Sequence, residues 1–325
     1  MIHVEGLTKV YHVPKRKSGV KMALKALVRR ETEAVEAVKD LSFHVAPGEM
    51  VGYIGPNGAG KSTTIKIMSG ILVPDSGRCE ILGRVPWRER VAHVREIGVV
   101  FGQRTQLWWD VPVQDSFHLL RDIYRVPEHE FRQTADRLTD VLDLGEYLRT
   151  PVRNLSLGQR MRCELAASLL HRPKILFLDE PTIGLDAVAK LAVRRFIRDL
   201  NREEGTTVIL TTHDMNDIEA LTDRILLIGK GHLLYDGGLA DLRDRYDTVR
   251  TVTVNFREGQ VPPDIAGVAC DTLAAGRVRY RVDTAAVPVS EVVARLSGSL
   301  ALQDVIIDAQ PVEELIVRLY QEHRI

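Results

Sequence analysis

Residues 50–62 read MVGYIGPNGAGKS, and this stretch decides the fold. Its apolar first part predicts a buried strand, the glycines predict a turn, and a helix is expected from Lys61. The run from Gly55 to Ser62 fits the pattern G-x-x-x-x-G-K-S/T in the strand–turn–helix context that this pattern requires. Backbone N–H groups of such a turn surround phosphate oxygens, and the helix N-terminus adds a partial positive charge. The sequence therefore predicts a nucleoside triphosphate site.

Two acidic residues downstream supply the chemistry expected of such a site. The apolar run 175–178 predicts a second buried strand, and Asp179 and Glu180 follow at its carboxyl end, where α/β sheets bind ligands. There an aspartate can hold Mg²⁺, and a glutamate can orient and deprotonate the attacking water. Such a pair alone is more often a solvated strand end, but the turn upstream favours the catalytic interpretation. Lys61 is expected to reach the β- and γ-phosphates, and Ser62 to bind Mg²⁺.

Short apolar runs bounded by glycine alternate with helical segments over residues 1–245. This alternation is typical of an α/β domain with a mostly parallel sheet, and a third buried strand is predicted at 207–210. Residues 103–172 are mainly helical and include the amphipathic segment 131–144. We therefore expect a helical subdomain inserted into the sheet domain.

Two segments stand outside this plan. Residues 14–39 form a basic insertion, in which Leu24, Leu27 and Val28 recur at helical spacing. Its charges favour either a surface that contacts phospholipid or a membrane partner, or a solvated connection between strands. Residues 246–325 read as a small α+β domain, which we interpret as a dimerisation or regulatory module. Its expected elements are strands at 252–256, 278–282 and 305–307, and helices at 289–296 and from Pro311.

The composition restricts the function classes. The chain has 325 residues with 44 Lys+Arg and 44 Asp+Glu, so no overall charge recruits nucleic acid or an anionic membrane. Three scattered cysteines suit a reducing cytosol and indicate no disulfide framework. The first residues lack the basic and apolar regions of a signal peptide. No apolar stretch reaches the ~18 residues that a membrane span needs.

Seven segments together resemble one family, the ATP-binding cassette (ABC) proteins, over about residues 2–238. Tyr11 in LTKVY resembles the aromatic residue that stacks on adenine, and Gln103 in VFGQ falls at the Q-loop position. The other matches are the phosphate loop at 52–64, the signature NLSLGQR at 154–160, LDEPT at 178–182, the D-loop GLD at 184–186 and the switch histidine in THD at 212–214. One departure is Leu157, because glycine is the most frequent residue there.

The resemblance implies a P-loop NTPase (RecA-like) core with an antiparallel β portion, besides the helical subdomain and the C-terminal α+β domain. Two cassettes would pack head to tail, most simply as a homodimer, with each ATP between them. Catalytic roles are implied for Glu180, His213, Lys61 and Gln103, and Mg²⁺ binding for Ser62, Gln103 and Asp179. Contacts to the nucleotide are implied for Tyr11, Gly55, Asn57, Gly58, Gly60, Lys61, Ser62, Thr63 and Asp186, and, from the opposite cassette, Ser156, Gly158 and Gln159.

The resemblance also implies a function: an ATPase, using ATP and Mg²⁺, that drives transport through a separate polytopic permease at the cytoplasmic face of the membrane. The single cassette with a short tail is most similar to subunits of drug, lipid or polysaccharide exporters. Trp108 and Trp109 lie where family members grip the permease, although core packing is the alternative. The rival hypotheses are a soluble ABC ATPase acting on a macromolecular complex such as the ribosome or DNA, and a regulatory cassette that binds ATP without hydrolysis. The neutral charge disfavours nucleic acid. The sequence does not identify the cargo.

Overall fold

The computed structural model describes residues 1–14, 32–102, 104–246 and 248–322. The chain divides into two compact units, Met1–Gly237 and Gly238–Ile325. The sequence predicts a boundary at 245/246, and the structure assigns the helix Leu239–Tyr246 to the second unit.

The first unit is built on a six-stranded sheet with the order β5-β6-β7-β3-β8-β9. Its neighbouring strands from β5 to β8 pair in parallel. The strands predicted at 50–54, 175–178 and 207–210 are β3, β6 and β7, whose carboxyl ends therefore meet at one sheet edge. The strand bounds are β3 Met50–Ile54, β5 Ile97–Phe101, β6 Ile175–Asp179, β7 Thr207–Thr211, β8 Arg224–Gly229 and β9 His232–Gly238.

A second, antiparallel sheet has the order β2-β1-β4, with β1 Ile2–Pro14, β2 Thr32–Val45 and β4 Ser76–Ile81. Its apolar face joins the core of the parallel sheet, with helix α1 Lys61–Met68 contributing Ile65 and Met68 to the same cluster. Pro14 and Thr32 are paired across β1 and β2. The amphipathic helix expected near Leu24 falls in residues 15–31, outside the described residues.

The helical subdomain predicted at 103–172 contains α3 Val113–Tyr124, α4 Glu128–Val141 and α5 Leu157–Leu169, after the short α2 Arg90–Val94 between β4 and β5. The amphipathic segment 131–144 corresponds to α4, which buries Phe131 and Leu138. In the sequence, helix α6 Ala187–Glu204 lies between β6 and β7, and helix α7 Met215–Leu221 lies between β7 and β8. Among the described residues, none of the helices has the combination of length and apolar composition that a membrane span requires.

The second unit is a four-stranded antiparallel sheet, order β11-β12-β10-β13, with three helices among its described residues. The expected strands and helices near 252, 280, 289, 305 and 311 are all present. The prediction missed helix α8 and strand β11. All residues of β11 are exposed, so this strand shows no alternation of buried and exposed positions. The bounds are α8 Leu239–Tyr246, β10 Val249–Phe256, β11 Ala269–Ala274, β12 Arg277–Asp283, α9 Val289–Ser299, β13 Leu302–Ala309 and α10 Val312–Glu322.

Truncation of the fully buried Phe177 in β6 tests whether this sheet is the core of the first unit. We expect Phe177→Ala to lower the free energy of unfolding by about 3–5 kcal/mol, since it removes apolar contacts and leaves a cavity. The exposed Val188 on α6 provides the control, because Val188→Ala should change stability by less than about 0.5 kcal/mol. Urea unfolding measures both, and equal losses would contradict this assignment.

Candidate functional site

The loop from Gly55 to Ser62 joins β3 to α1 and lies against the strands behind it. Gly58 and Gly60 have φ of 81° and 106°, the left-handed region that favours glycine. A Cβ on Gly60 would lie 2.2 Å from the carbonyl oxygen of Ala37, and one on Gly55 would lie 2.5 Å from that of Ile228. The path of this loop therefore requires glycine at two positions.

Lys61 is folded back into this loop. Its Nζ donates to the carbonyl oxygens of Gly55 at 2.6 Å and Pro56 at 3.2 Å, and the residue is 7% exposed. Burial lowers the pKa of Lys61, while Glu180 and Asp179 act in the opposite direction. The site thus holds a poorly solvated amine whose partners inside the loop are carbonyl dipoles, which suits it to an incoming anion.

A buried tyrosine on β3 holds the start of α1 in place. The Tyr53 hydroxyl donates to Thr64 Oγ1 at 3.0 Å, and Thr64 donates in turn to the Gly60 carbonyl at 3.1 Å. Burial raises the pKa of Tyr53, so that its hydroxyl stays protonated as a donor. Ser62 and Thr63, in the first turn of α1, are half-buried.

Glu180 follows Asp179 at the end of β6 in a strained conformation. Its φ is 57°, a left-handed value that costs a non-glycine residue roughly 1–3 kcal/mol. The Glu180 N–H donates to the Thr211 carbonyl at 2.9 Å, and the Thr211 hydroxyl donates to Asp179 Oδ1. Gly102 lies so close that a Cβ there would be 2.4 Å from the Glu180 carbonyl oxygen. The neighbouring strands β5 and β7 therefore fix the position of both acids.

The switch histidine contacts the candidate base directly. His213 Nε2 lies 2.9 Å from Glu180 Oε1, although His213 follows β7 and Glu180 follows β6. Both side chains are partly exposed, so the pair is accessible from solvent. The structure thus brings together two residues that the sequence separates by more than thirty positions.

A cavity of about 300 Å³ opens beside these groups. Three residues that the sequence predicted for the site border it: Ser62, Asp179 and Glu180. Its other lining residues are Lys66, Ile71, Phe101, Gly102 and Arg104. Arg104 was missed, although its position next to Gln103 was an available signal. Gln103 itself lies outside the described residues.

The predicted signature residues occupy the start of α5. Ser156 caps this helix, accepting from the Gln159 N–H at 3.2 Å, while the Gln159 side chain accepts from the Ser156 N–H at 2.8 Å. The atypical Leu157 lies against the D-loop, where its Cδ2 would be 2.5 Å from a Cβ on Gly184. The absent side chain at Gly184 therefore makes room for Leu157. Ser156, Gly158 and Gln159 do not line the cavity.

Two further predicted residues also lie away from the cavity lining. Asp186 caps α6 and accepts from the Ala189 N–H at 2.8 Å. Tyr11 is half-buried on β1, paired with Val35, and the Nζ of Lys9 lies 5.9 Å from the centre of its ring. The exposed Asn57 and Gly58 form the tip of the phosphate loop.

A buried carboxylate that sequence reasoning missed joins the loops after β6 and β7. Asp217 on α7 is fully buried and accepts from the hydroxyls of Thr182 and, at 2.9 Å, Thr212. Its other oxygen pairs with Arg194 on α6. Thr182 lies two residues after Glu180, and Thr212 directly precedes His213. This network therefore fixes the position of Glu180 relative to His213.

A second missed carboxylate, Glu164, joins the loop after β5 to α5. Glu164 is 4% exposed and accepts from the Thr105 hydroxyl and, at 3.2 Å, from the Gln106 N–H. The Gln106 side chain donates to the Glu164 carbonyl at 3.2 Å. Burial raises the pKa of Glu164, and these hydrogen bonds oppose that shift. The loop that carries Arg104 is thereby attached to the helix that Ser156 caps.

Trp108 and Trp109 follow this loop and are 41% and 48% exposed. The exposure disfavours core packing as their role. The Trp108 N–H donates to Ser116 Oγ at 3.1 Å, and the guanidinium of Arg160 on α5 lies 5.7 Å from the Trp109 ring. The helical subdomain therefore presents two aromatic side chains to solvent on a fixed backbone.

Comparisons with known proteins agree on one family. The family model described as "ABC transporter" matches residues 38–183. The ABC transporter ATP-binding protein NatA of Bacillus subtilis is 31% identical over 224 residues, which cover 69% of this chain and 89% of NatA. The daunorubicin resistance ATP-binding protein DrrA3 of Streptomyces coeruleorubidus is 35% identical over 283 residues, covering 85% of this chain and 86% of DrrA3.

A solved structure resembles the first unit in fold. It is the dimeric structure of a post-hydrolysis state of the ATP-binding cassette MJ0796 bound to ADP and Pi. The match has a TM-score of 0.62 at 26% identity, and covers 74% of this chain and 99% of that one. A likeness over nearly the whole of the other chain shows that the cassette fold is present in full.

Removal of the buried carboxylate of Asp217 tests the network between the two loops. We expect Asp217→Ala to lower the free energy of unfolding by about 3 kcal/mol, because two hydroxyls lose their acceptor and Arg194 keeps Asp214, at 3.3 Å, in place of its buried partner. Urea unfolding measures this loss. The exposed Glu203 on α6 is the matched control, and Glu203→Ala should leave stability within about 0.5 kcal/mol of the parent. A loss as small as that control's would contradict the network.

Proposed function

The chain belongs to the ATP-binding proteins of ABC transporters, and from this premise we propose that it hydrolyses ATP to drive export through a separate membrane permease. One observation carries the proposal: the Glu180–His213 pair, 2.9 Å apart, lies beside a phosphate-binding loop and a cavity. Membership of the family brings ATP binding and ATPase activity, and the residues that would perform them follow from the geometry.

The phosphate loop would bind the nucleotide. The backbone N–H groups of Gly55, Asn57, Gly58 and Gly60 would surround phosphate oxygens, since glycine lets the chain curl tightly there. Lys61 would exchange its carbonyl partners for the β- and γ-phosphates, because a charged acceptor forms the stronger hydrogen bond. Thr63, next to Ser62 in the first turn of α1, would also contact the nucleotide. Tyr11, on β1 of the antiparallel sheet, would stack on adenine.

Mg²⁺ fits the oxygen donors at the same edge. A serine hydroxyl and an aspartate carboxylate, Ser62 and Asp179, line one cavity, and such oxygens are the ligands that Mg²⁺ prefers. Gln103 would be a further ligand. When bound, Mg²⁺ would neutralise charge on the β- and γ-phosphates. Thr211 supports this role of Asp179, because its hydroxyl holds one carboxylate oxygen and leaves the other available.

Glu180 would act as general base toward the attacking water. Its carboxylate would accept a proton from this water as the γ-phosphate is attacked in line. His213 would hold the carboxylate in place, and its ring would contact the transferred phosphoryl group. The left-handed backbone at Glu180 fits this role, since strain of this kind is concentrated at functional sites.

A second cassette would complete each site. Ser156, Gly158 and Gln159 do not line this chain's own cavity, yet the Ser156 hydroxyl lies at a helix N-terminus, which attracts anions. These residues would act on the nucleotide of a partner cassette packed head to tail, whereas Asp186 would contact the nucleotide of its own cassette. A dimeric structure of a similar cassette supports this arrangement.

Export is favoured by the relatives and by the exposed tryptophans. DrrA3 and the 34% identical LnrL of Bacillus subtilis are named for resistance to daunorubicin and to linearmycin. Trp108 and Trp109 would contact a permease at the cytoplasmic face of the membrane. The Glu164 network would transmit the state of the nucleotide site to them, because it attaches their loop to α5. The relatives give no support to the alternative of a soluble ABC ATPase on a macromolecular complex.

Replacement of the proposed base tests the ATPase mechanism. We expect Glu180→Gln to bind ATP with unchanged affinity and to lose at least about a hundredfold in the rate of hydrolysis, since general bases contribute at least that much. Phosphate release and binding of a fluorescent ATP analogue measure the two properties. Glu203→Gln, on the exposed face of α6, should match the parent in both. Turnover within tenfold of the parent would contradict the role of Glu180.

A pull-down from native membranes tests transport. Glu180→Gln with ATP should recover a stoichiometric polytopic membrane protein, and adding Trp108→Ala and Trp109→Ala should reduce the recovery by about tenfold or more. The control adds Ile123→Ala instead, which removes a similarly exposed apolar side chain from α3. Mass spectrometry quantifies what is recovered. Recovery with ribosomes or DNA, and no membrane protein, would contradict transport and leave the ATPase activity intact.

A further inference from the structure

The sheet of the second unit has one apolar face and one charged face. Val252, Val254 and Phe256 of β10 belong to a buried cluster with residues of α9. The opposite face consists of the alternate residues of each strand. These are Val249, Thr251, Thr253 and Asn255 on β10, Arg277, Arg279, Arg281 and Asp283 on β12, Asp304, Ile306 and Asp308 on β13, and Ala269, Asp271 and Ala274 on β11.

This outer face carries its charges as two separate stripes. The basic stripe on β12 and the acidic side chains on β13 flank the uncharged β10, so they lie about 10 Å apart. Arg281 pairs with Asp271 at 3.1 Å. Arg277, Arg279, Asp304 and Asp308 form no ion pair with any residue that the structure describes. Most of the face's charge is therefore available to a partner.

The strand register aligns the two stripes in rows. Arg281, Thr251 and Asp308 form one row across the sheet. Arg279, Thr253 and Ile306 form the next, and Arg277, Asn255 and Asp304 form the third. An arginine thus stands opposite an aspartate, across β10, in both outer rows.

Symmetry decides which partner fits such a face. When two copies of a sheet meet face to face, a two-fold axis along β10 exchanges the β12 side with the β13 side and keeps each row level. Arg277 then faces Asp304 of the other copy, and Arg281 faces its Asp308. Arg279 faces the partner's Ile306, on which its aliphatic stem can pack. An axis across the strands would instead place arginine on arginine.

We propose that this charged face is a contact between two copies of the chain, related by a two-fold axis along β10. The inference rests on the proposed function, which brings two cassettes together. Exposed ion pairs contribute little individually, so the contact is weak by itself. It forms because ATP-driven pairing of the cassettes raises the effective concentration of one face near the other.

Cross-linking across the axis tests the geometry. Thr251 lies on the central strand and is only half-buried, so two copies of it meet near the axis within reach of a reagent. In Cys270→Ser, which removes the exposed native thiol, and with Glu180→Gln, Thr251→Cys should be linked by a bismaleimide of about 10 Å when ATP is present. Ser290→Cys on the exposed side of α9 is the control and should give no ATP-dependent product. Equal yields at both positions would overturn the proposal.

Charge exchange then identifies the partner. Added to that cysteine background, Arg277→Asp or Asp304→Arg alone should reduce the cross-linked yield about tenfold, because each places like charges opposite one another twice. Combining both changes in one chain should restore the yield. An equimolar mixture of the two single variants should also restore it, since the aspartate introduced in one copy would then face the arginine introduced in the other. No restoration in either case would overturn the proposal of a second copy.

Size-exclusion chromatography measures ATP-dependent pairing directly, and so distinguishes failure of this contact from failure of the proposed head-to-tail pairing. If Glu180→Gln pairs with ATP but no variant affects the cross-link at position 251, the contact is refuted and the proposed function stands. If ATP produces no pair at all, the head-to-tail arrangement fails, and the contact fails with it. Both charged side chains that are exchanged are exposed, so we expect the variants to fold. Urea unfolding of each variant checks this and excludes loss of folding as the cause of a lower cross-linked yield.

Discussion

The phosphate loop lies so close to β2 and β8 that a side chain cannot be accommodated at Gly60 or Gly55. This contact fixes the loop's curl, which in turn fixes where Lys61 can place its Nζ. The buried amine then requires negative charge nearby, because burial disfavours its protonated form. Asp179 and Glu180 supply that charge from β6. The packing of the loop thus places a buried amine beside two acids that strands from a different part of the chain hold in position.

Two buried carboxylates connect the site to the surrounding loops and helices. Asp217 connects Thr182 to Thr212, so the residues on either side of the Glu180–His213 pair cannot move separately. Glu164 connects the loop after β5 to α5, and with it the cavity-lining Arg104 to the helix that begins after Ser156. A buried carboxylate is stable only with its donors in place, so each network has one satisfied arrangement. Rigid attachment of this kind suits the proposed coupling between the nucleotide site and the exposed tryptophans.

The two units use charge differently. In the first unit, Asp217 and Glu164 are buried and accept hydrogen bonds from neighbouring loops, which gives a fixed geometry. In the second, the outer face of the sheet keeps arginines and aspartates exposed in separate stripes. Exposed charges give weak, salt-sensitive contacts that can form and break repeatedly. Such a contact suits the reversible pairing of two chains that we propose.

The sequence by itself determined the family, the strands β3, β6 and β7, and the order of the site motifs, because each depends on residues adjacent in the chain. A glycine-rich turn between a strand and a helix can be recognised from the sequence alone. Only the tertiary structure showed the roles of Asp217, Glu164 and Gly184, the left-handed Glu180, and the strand β11. Their partners lie on other elements, far along the chain in most cases, and no local pattern encodes which donor will reach a buried oxygen. The same reason hid the charged rows of the second unit, since register between strands is set by packing of the opposite, apolar face.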